Sequence, residues 1–391
     1  MMKPLLSRLV LSLSLLFFIG QVHAAQLSQS TANSALKAFE YQDKEAWREA
    51  IGVLVAARTP TDYDKAYISR MLGVMYWQDN QPTKAIAALD KAVKLDALEP
   101  EAQRAAKRML ADLLMTQAKY SKALPLYYAL SKDKALSQKD LAQVWLRIAQ
   151  ANYQQNINNK ALDAINTHLK LASPNVGSLS LKLGAEMRLK RWKSTLSTLK
   201  QLIAFEPNKK AWWLQMVSSH QKLNNEEGML STLVLAERSN IALNASEKRL
   251  MAQLYANAGV PEKAAAILSA LNQSSSDKTS WVMEASYWQQ AREWDKAIKA
   301  WKRASTLDAS RLWVVAQLEI QQGYYADALK TLEQIKDPSK KVDVELARVR
   351  AYEKLEDFDT ALLHAKRAQE YAPSEQTESW IQYLTNKRAS Q

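Results

Sequence analysis

The sequence predicts an all-α protein made of repeated helix pairs, and three observations predict it. Glycine supplies 8 of 391 residues, about 2% against a usual share of roughly 7%, too few for a fold of tight hairpins or glycine-rich phosphate loops. From residue 31 onward one pattern recurs about every 34 residues. A small or apolar pair is followed three residues on by an aromatic or apolar one, nine later by a small one, then by apolar or small residues after four and three more. Between these units stand stretches such as DALEP, FEPN and YAPS, where proline cannot continue a preceding helix. Apolar residues make up 47% and charged ones 24%, enough apolar material for a large packed core.

Residues 1–24 read as a secretory signal peptide. Lys3 and Arg8 precede the apolar run Leu9 to Ile19, and Gly20 leads into Gln-Val-His-Ala-Ala, with cleavage expected after Ala24. The run is shorter than the roughly 20 residues that a bilayer span requires. The mature chain is therefore expected to be exported, in a bacterium to the periplasm.

Residues 25–375 form the repeat array. Its clearest copy runs from Lys278 to Asp308, with Trp281, Ala285, Trp288, Ala297, Trp301 and Ala304 in frame; the next has Leu72, Gly73, Tyr76, Ala85, Leu89 and Ala92. The small residue that opens the packed face of each second helix falls at Ala50, Ala85, Ala123, Ala161, Thr195, Met229, Ala264, Ala297, Ala328 and Ala361. Small residues there let two antiparallel helices approach, while apolar neighbours at i, i+3, i+4 and i+7 fill the space to the next pair. Thr195 and Met229 depart from the small type, and the fourth and fifth copies read as shifted by about one residue in their inter-helix turn. Gln273 to Thr279 is the softest connector. Residues 376–391, with Trp380, Ile381 and Leu384 on one side, read as a capping helix over the last exposed face.

At the Leu72–Gly73–Tyr76 and Trp281–Ala285–Trp288 copies the chain resembles the tetratricopeptide repeat family, whose pattern is W-x2-L-G-x2-Y, then A-x3-F, then A and P. The resemblance covers residues 31 to about 375. It implies an α-solenoid, a right-handed superhelix of about ten helix-turn-helix repeats, with partners held along a groove lined by the first helices. Carried onto this chain, the groove positions are Arg70 and Trp77, Arg108, Gln150 and Tyr153, Arg249, Gln253 and Asn257, Trp313 and Gln317; Asp112 and Arg350 fall in the same frame. Such a mixture of arginine, amide and aromatic side chains suits the backbone and carboxylates of an extended peptide. The family's Lys/Asn carboxylate clamp is not reproduced.

Within that family the stretches RMLGVMYWQDNQPTKAIAALDKAV, RMLADLLMTQAKYSKALPLYYAL and LSLKLGAEMRLKRWKSTLSTLKQLI are similar to the exported tetratricopeptide proteins that accompany TonB, ExbB and ExbD energy-transduction systems in gammaproteobacteria. The likeness implies a scaffold that supports TonB-dependent transport by binding protein partners. The alternative is a structural adaptor of cell-envelope or exopolysaccharide biogenesis that binds glycan or assembly proteins.

Chemistry finds no foothold. Without cysteine there is no disulfide, no thiol nucleophile and no thiolate metal site. His168, His220 and His364 are isolated, with His168 and His220 on frame positions expected to be packed. No G-x-S-x-G, phosphate-loop or G-x-G-x-x-G pattern occurs. No catalytic residue, metal or cofactor is expected. Of the twelve tryptophans, eight fall on core positions, whereas Trp77 and Trp313 face the expected groove.

The formal charge is +13, and without Lys3 and Arg8 it is +11. Residues 100–137, 138–176 and 177–209 carry +4, +2 and +5, so the rest of the chain is neutral. This basic belt is sharpest at Arg188, Lys190, Arg191 and Lys193. It suits an acidic protein or an anionic envelope surface. Export makes nucleic acid an unsuitable partner.

Overall fold

The computed structural model describes residues 26–272 and 278–389. The signal-peptide segment and most of the Gln273–Thr279 connector lie outside them. Among the described residues there are 21 α-helices, two short 3-10 turns and no strand. The chain divides into two compact units, one ending at Lys190 and the other beginning at Arg191.

The first unit holds α1 (Gln29–Asp43), α2 (Trp47–Val55), α3 (Asp62–Gln78), α4 (Pro82–Leu95), α5 (Pro100–Thr116), α6 (Tyr120–Leu130), α7 (Gln138–Gln154), α8 (Asn158–Leu171) and α9 (Val176–Arg188). They pack as four consecutive pairs, with α9 against α7 and α8. The helix starts follow local chemistry. Thr61 and Asp64 form a reciprocal capping box before α3, Asn175 and Ser178 form another before α9, and Pro82 and Pro100 sit where a missing N–H is harmless. One continuous core runs from Ala85 and Leu89 through Leu110, Tyr127 and Ile148 to Ala185. Gly73 faces Leu89 so closely that a β-carbon there would overlap its side chain.

The second unit holds α10 (Trp192–Phe205), α11 (Lys210–Lys222), α12 (Glu226–Arg238), α13 (Ala245–Asn257), α14 (Pro261–Asn272), α15 (Lys278–Gln290), α16 (Trp294–Leu307), α17 (Leu312–Gln321), α18 (Tyr325–Glu333), α19 (Lys341–Lys354), α20 (Phe358–Tyr371) and α21 (Glu375–Ala389). From α11 to α20 these form five successive pairs. Helix α10 packs on α11, and α21 packs on α20. Leu384 is buried there with Trp380 and Ile381 beside it, so α21 covers the end of the stack as expected.

The register is written in the turns. A residue with positive φ closes each first helix at Glu45, Asn80, Ala118, Asn156, Lys190, Asn224, Gly259, Arg292, Gly323 and Glu356. Each stands five residues before one of the ten anchors read from the sequence. All ten anchors are buried, the bulkier Thr195 and Met229 included. The shift expected in the turns of the fourth and fifth copies is absent, since Asn156 and Lys190 keep the same offset from Ala161 and Thr195. The variable composition of those turns had disguised a constant length.

Candidate functional site

In the first unit the predicted groove residues are tied to one another or to neighbouring repeats. Arg108 on α5 donates from Nη1 to Asp140 Oδ1 on α7 at 2.9 Å. The Ser137 hydroxyl and the Arg108 guanidinium hold the Asp140 carboxyl below the usual range. Returning from α7, Arg147 lies 3.4 Å from Asp112 of α5, and the same carboxylate accepts from the Tyr127 hydroxyl at 2.6 Å. Burial and that hydrogen bond push the Tyr127 phenol far up. Gln150 accepts from Arg147 at 3.1 Å. Arg104–Asp133 and Lys107–Asp96 are further pairs in the same region, at 3.8 and 3.6 Å.

Tyr153 joins the groove reading to the belt reading. The Arg188 guanidinium lies 3.8 Å from the centre of its ring and donates to the Tyr153 carbonyl and to Asn156 Oδ1, at 3.0 and 2.8 Å. Gly184 makes room for the phenol, because a β-carbon there would lie 2.6 Å from Tyr153 Oη. Arg70 stacks over Tyr67 at 5.5 Å, and the half-buried Trp77 packs against the main core. Arg104, Arg108 and Arg147 are thus paired with carboxylates, whereas Arg188 keeps its charge against neutral partners. Lys190 is exposed at the unit's last turn.

The second unit presents a different first-helix face. Gln253 on α13 and Gln317 on α17 are exposed, and Arg249, one turn before Gln253, is half-buried. Asn257 donates to Glu226 Oε2 at 3.0 Å. Trp313 packs half-buried beside Ala316, Leu332 and Val344, with the Lys340 ammonium 5.4 Å from its ring centre. Arg191 and Lys193 are exposed at the start of this unit. The face therefore offers amides that donate and accept beside an arginine and an aromatic edge, along with ion pairs such as Lys210–Glu247 between α11 and α13 at 2.7 Å.

Other residues singled out by sequence are structural. Trp212 and Trp213 are buried and donate to Glu206 and to the Pro207 carbonyl. His168 contacts the Ala142 carbonyl through Nδ1 at 2.8 Å, and His220 packs on Gly228. Burial and the nearby Lys200 charge push the His220 imidazole down.

Sequence reading missed three buried polar clusters of the second unit. Asn272 bridges Ser280 and Glu284; Glu319 holds Thr331 and lies 2.6 Å from the Lys302 ammonium; Glu345 holds His364 and Arg348 at 2.5 and 2.6 Å. Each acid is a lone carboxylate in a helical stripe. Only its burial at an otherwise apolar position could have drawn attention to it. Among the described residues no group of three or more histidine and acidic side chains could hold a metal ion, and no helix is long and apolar enough to cross a membrane.

Residues 37–100 match the tetratricopeptide repeat family model. No curated protein matches the chain. Among solved structures, a tetratricopeptide repeat protein from Parabacteroides merdae is 15% identical, covers 66% of this chain and 98% of its own, and has a TM-score of 0.38. MamA 41-end from Desulfovibrio magneticus is 14% identical, covers 47% of this chain and 99% of its own, and has a TM-score of 0.37. With that family match over residues 37–100, and with one turn and one buried anchor recurring ten times in register, this is an all-α chain of tetratricopeptide-type helix pairs.

Proposed function

We propose that the protein is an exported, periplasmic scaffold that holds extended segments of protein partners on its first-helix faces, without chemistry of its own. The observation that carries this reading is the pair of exposed amides on first helices of the second unit, Gln253 one turn after Arg249 on α13 and Gln317 one turn after Trp313 on α17. Extended polypeptide presents N–H and C=O groups on both sides, and amide side chains serve either. The helix-pair repeat supports a binding role because stacking buries each unit's apolar face and leaves the first-helix face for partners. The N-terminal signal pattern supports export, and the stretches similar to TonB-associated proteins support an accessory role in TonB-dependent transport.

Affinity capture with the mature chain from detergent-solubilised cell envelopes tests the reading. Recovery of TonB-system proteins is the expected result. Recovery of glycan alone would replace it with the envelope-biogenesis adaptor, and immunoblotting of periplasmic and cytoplasmic fractions tests export separately.

A further inference from the structure

The second unit carries an open depression of about 830 Å³ lined by residues of α17, α18, α19 and α21. It lies on the same first-helix face, at the end that α21 covers. An open depression of that size is long enough for a few residues of extended chain lying against the surface. Helix α21, expected only to cap the stack, supplies Glu375, Trp380 and Tyr383 to the lining, while α17 supplies Ile320.

The internal hydrogen bonds show which lining groups are already engaged. Glu353 accepts from the Tyr383 hydroxyl at 3.2 Å through Oε1, and the Lys354 ammonium lies 3.4 Å from its Oε2. Tyr383 meets Trp380 edge-on, with ring centres 5.8 Å apart and planes at 78°. These four side chains make a preformed wall that is polar on one side and aromatic on the other. Two charged groups remain. Arg350 on α19 and Glu375 in the first turn of α21 are both exposed, both line the pocket, and are joined by no ion pair to each other or to any described residue.

We infer that this pocket is a specificity site for a short extended peptide segment in which an apolar side chain is flanked by one acidic and one basic residue. The inference rests on the scaffold reading above. Arg350 presents a planar fork of N–H donors that matches a carboxylate bidentately. Glu375 accepts from a lysine or arginine on the other flank, and Trp380 and Ile320 cover the apolar side chain between them. A neutral glycan stacks on Trp380 equally well but leaves both opposite charges unmatched, which favours the peptide.

Isothermal titration calorimetry of the full mature chain tests the assignment, using a synthetic library of nonapeptides with a central Leu, Phe or Trp, flanked by Glu and Lys in either order. Maltoheptaose and peptides with a central Ala serve as comparisons. The expected result is binding of one charge order, weakened at least tenfold by Arg350→Ala and by Glu375→Ala, with the preferred order reversed in Arg350→Glu combined with Glu375→Arg. Both positions are exposed, so unchanged far-UV circular dichroism is expected of every variant. Binding of maltoheptaose but no peptide, or peptide binding indifferent to all these changes, overturns the assignment. The titration separates it from the scaffold reading: peptide binding indifferent to Arg350→Ala and Glu375→Ala overturns only the pocket, whereas absence of any captured envelope protein with the unaltered chain overturns the scaffold.

Discussion

Glu345 is a buried carboxylate whose two partners are close and asymmetric. Arg348 lies one turn along the same helix, and His364 reaches it from α20 while stacking on Tyr352 with ring centres 5.3 Å apart. Burial pushes the carboxyl up, but the hydrogen bond from His364 and the charges of His364 and Arg348 outweigh it and hold it below its ordinary value of 4.5. A carboxyl lowered by folding contributes stability that is complete above its unfolded value and is lost as the pH falls through that value toward the folded one. Acid titration of thermal stability should therefore show a loss beginning near pH 4.5, and Glu345→Gln should flatten that part of the curve. At pH 7 the same substitution should destabilise the fold by about 3 kcal/mol, because it leaves the largely buried Arg348 without its counter-charge; urea unfolding measures it. None of this was legible in the sequence, where His364 stands alone and Glu345 is one acid among forty. The neighbours of a buried charge are set by which stripes face each other between helices. A single helix pattern does not record that.

The element scale was far more legible, because tight packing between helices constrains residue type. Ala85, Ala123, Ala161, Ala264 and Ala297 are fully buried where two helices cross, and their spacing alone located the repeats. Thr195 and Met229 kept the register in spite of their type, so the turn geometry, more than the anchor, sets the period. Each turn needs one left-handed residue after the first helix, yet glycine supplies it only at Gly259 and Gly323 among the ten. Elsewhere a β-carbon is held at positive φ, which costs about 1–2 kcal/mol. At Ala118, with φ of 53°, the side chain offers no compensating hydrogen bond. Ala118→Gly should accordingly raise the stability of the first unit by about 1 kcal/mol, read from the midpoint of chemical unfolding, whereas Gly259→Ala should lower that of the second by a similar amount. The candidate groove was half legible at this scale. Its positions follow from the helix frame, but the Arg108–Asp140 and Arg147–Asp112 pairs depend on side-chain reach between α5 and α7.

At the scale of the molecule, the sequence located the excess charge but not its use. Several cations of the first unit face carboxylates, and Arg188 stacks on Tyr153 and donates to Asn156; the net charge already subtracts every carboxylate, so the excess rests on the remaining cations, the exposed Lys190 and Lys193 among them. Two modes of partner binding then differ in their salt response. Segments held by Gln253 and Gln317 should lose less than about tenfold in affinity between 50 and 300 mM salt, whereas docking on the exposed Lys190 or on the exposed Lys193, and the charge-order preference of the pocket at α21, should fall steeply as the screening length shortens. Lys190→Glu with Lys193→Glu should leave the first mode unchanged. The most direct measurement is quantitative capture of envelope partners by the mature chain and by a Gln253→Glu, Gln317→Glu variant, with folding checked by circular dichroism. A scaffold working through its first-helix face predicts that the folded variant loses at least tenfold of the capture; retention of full capture would contradict it.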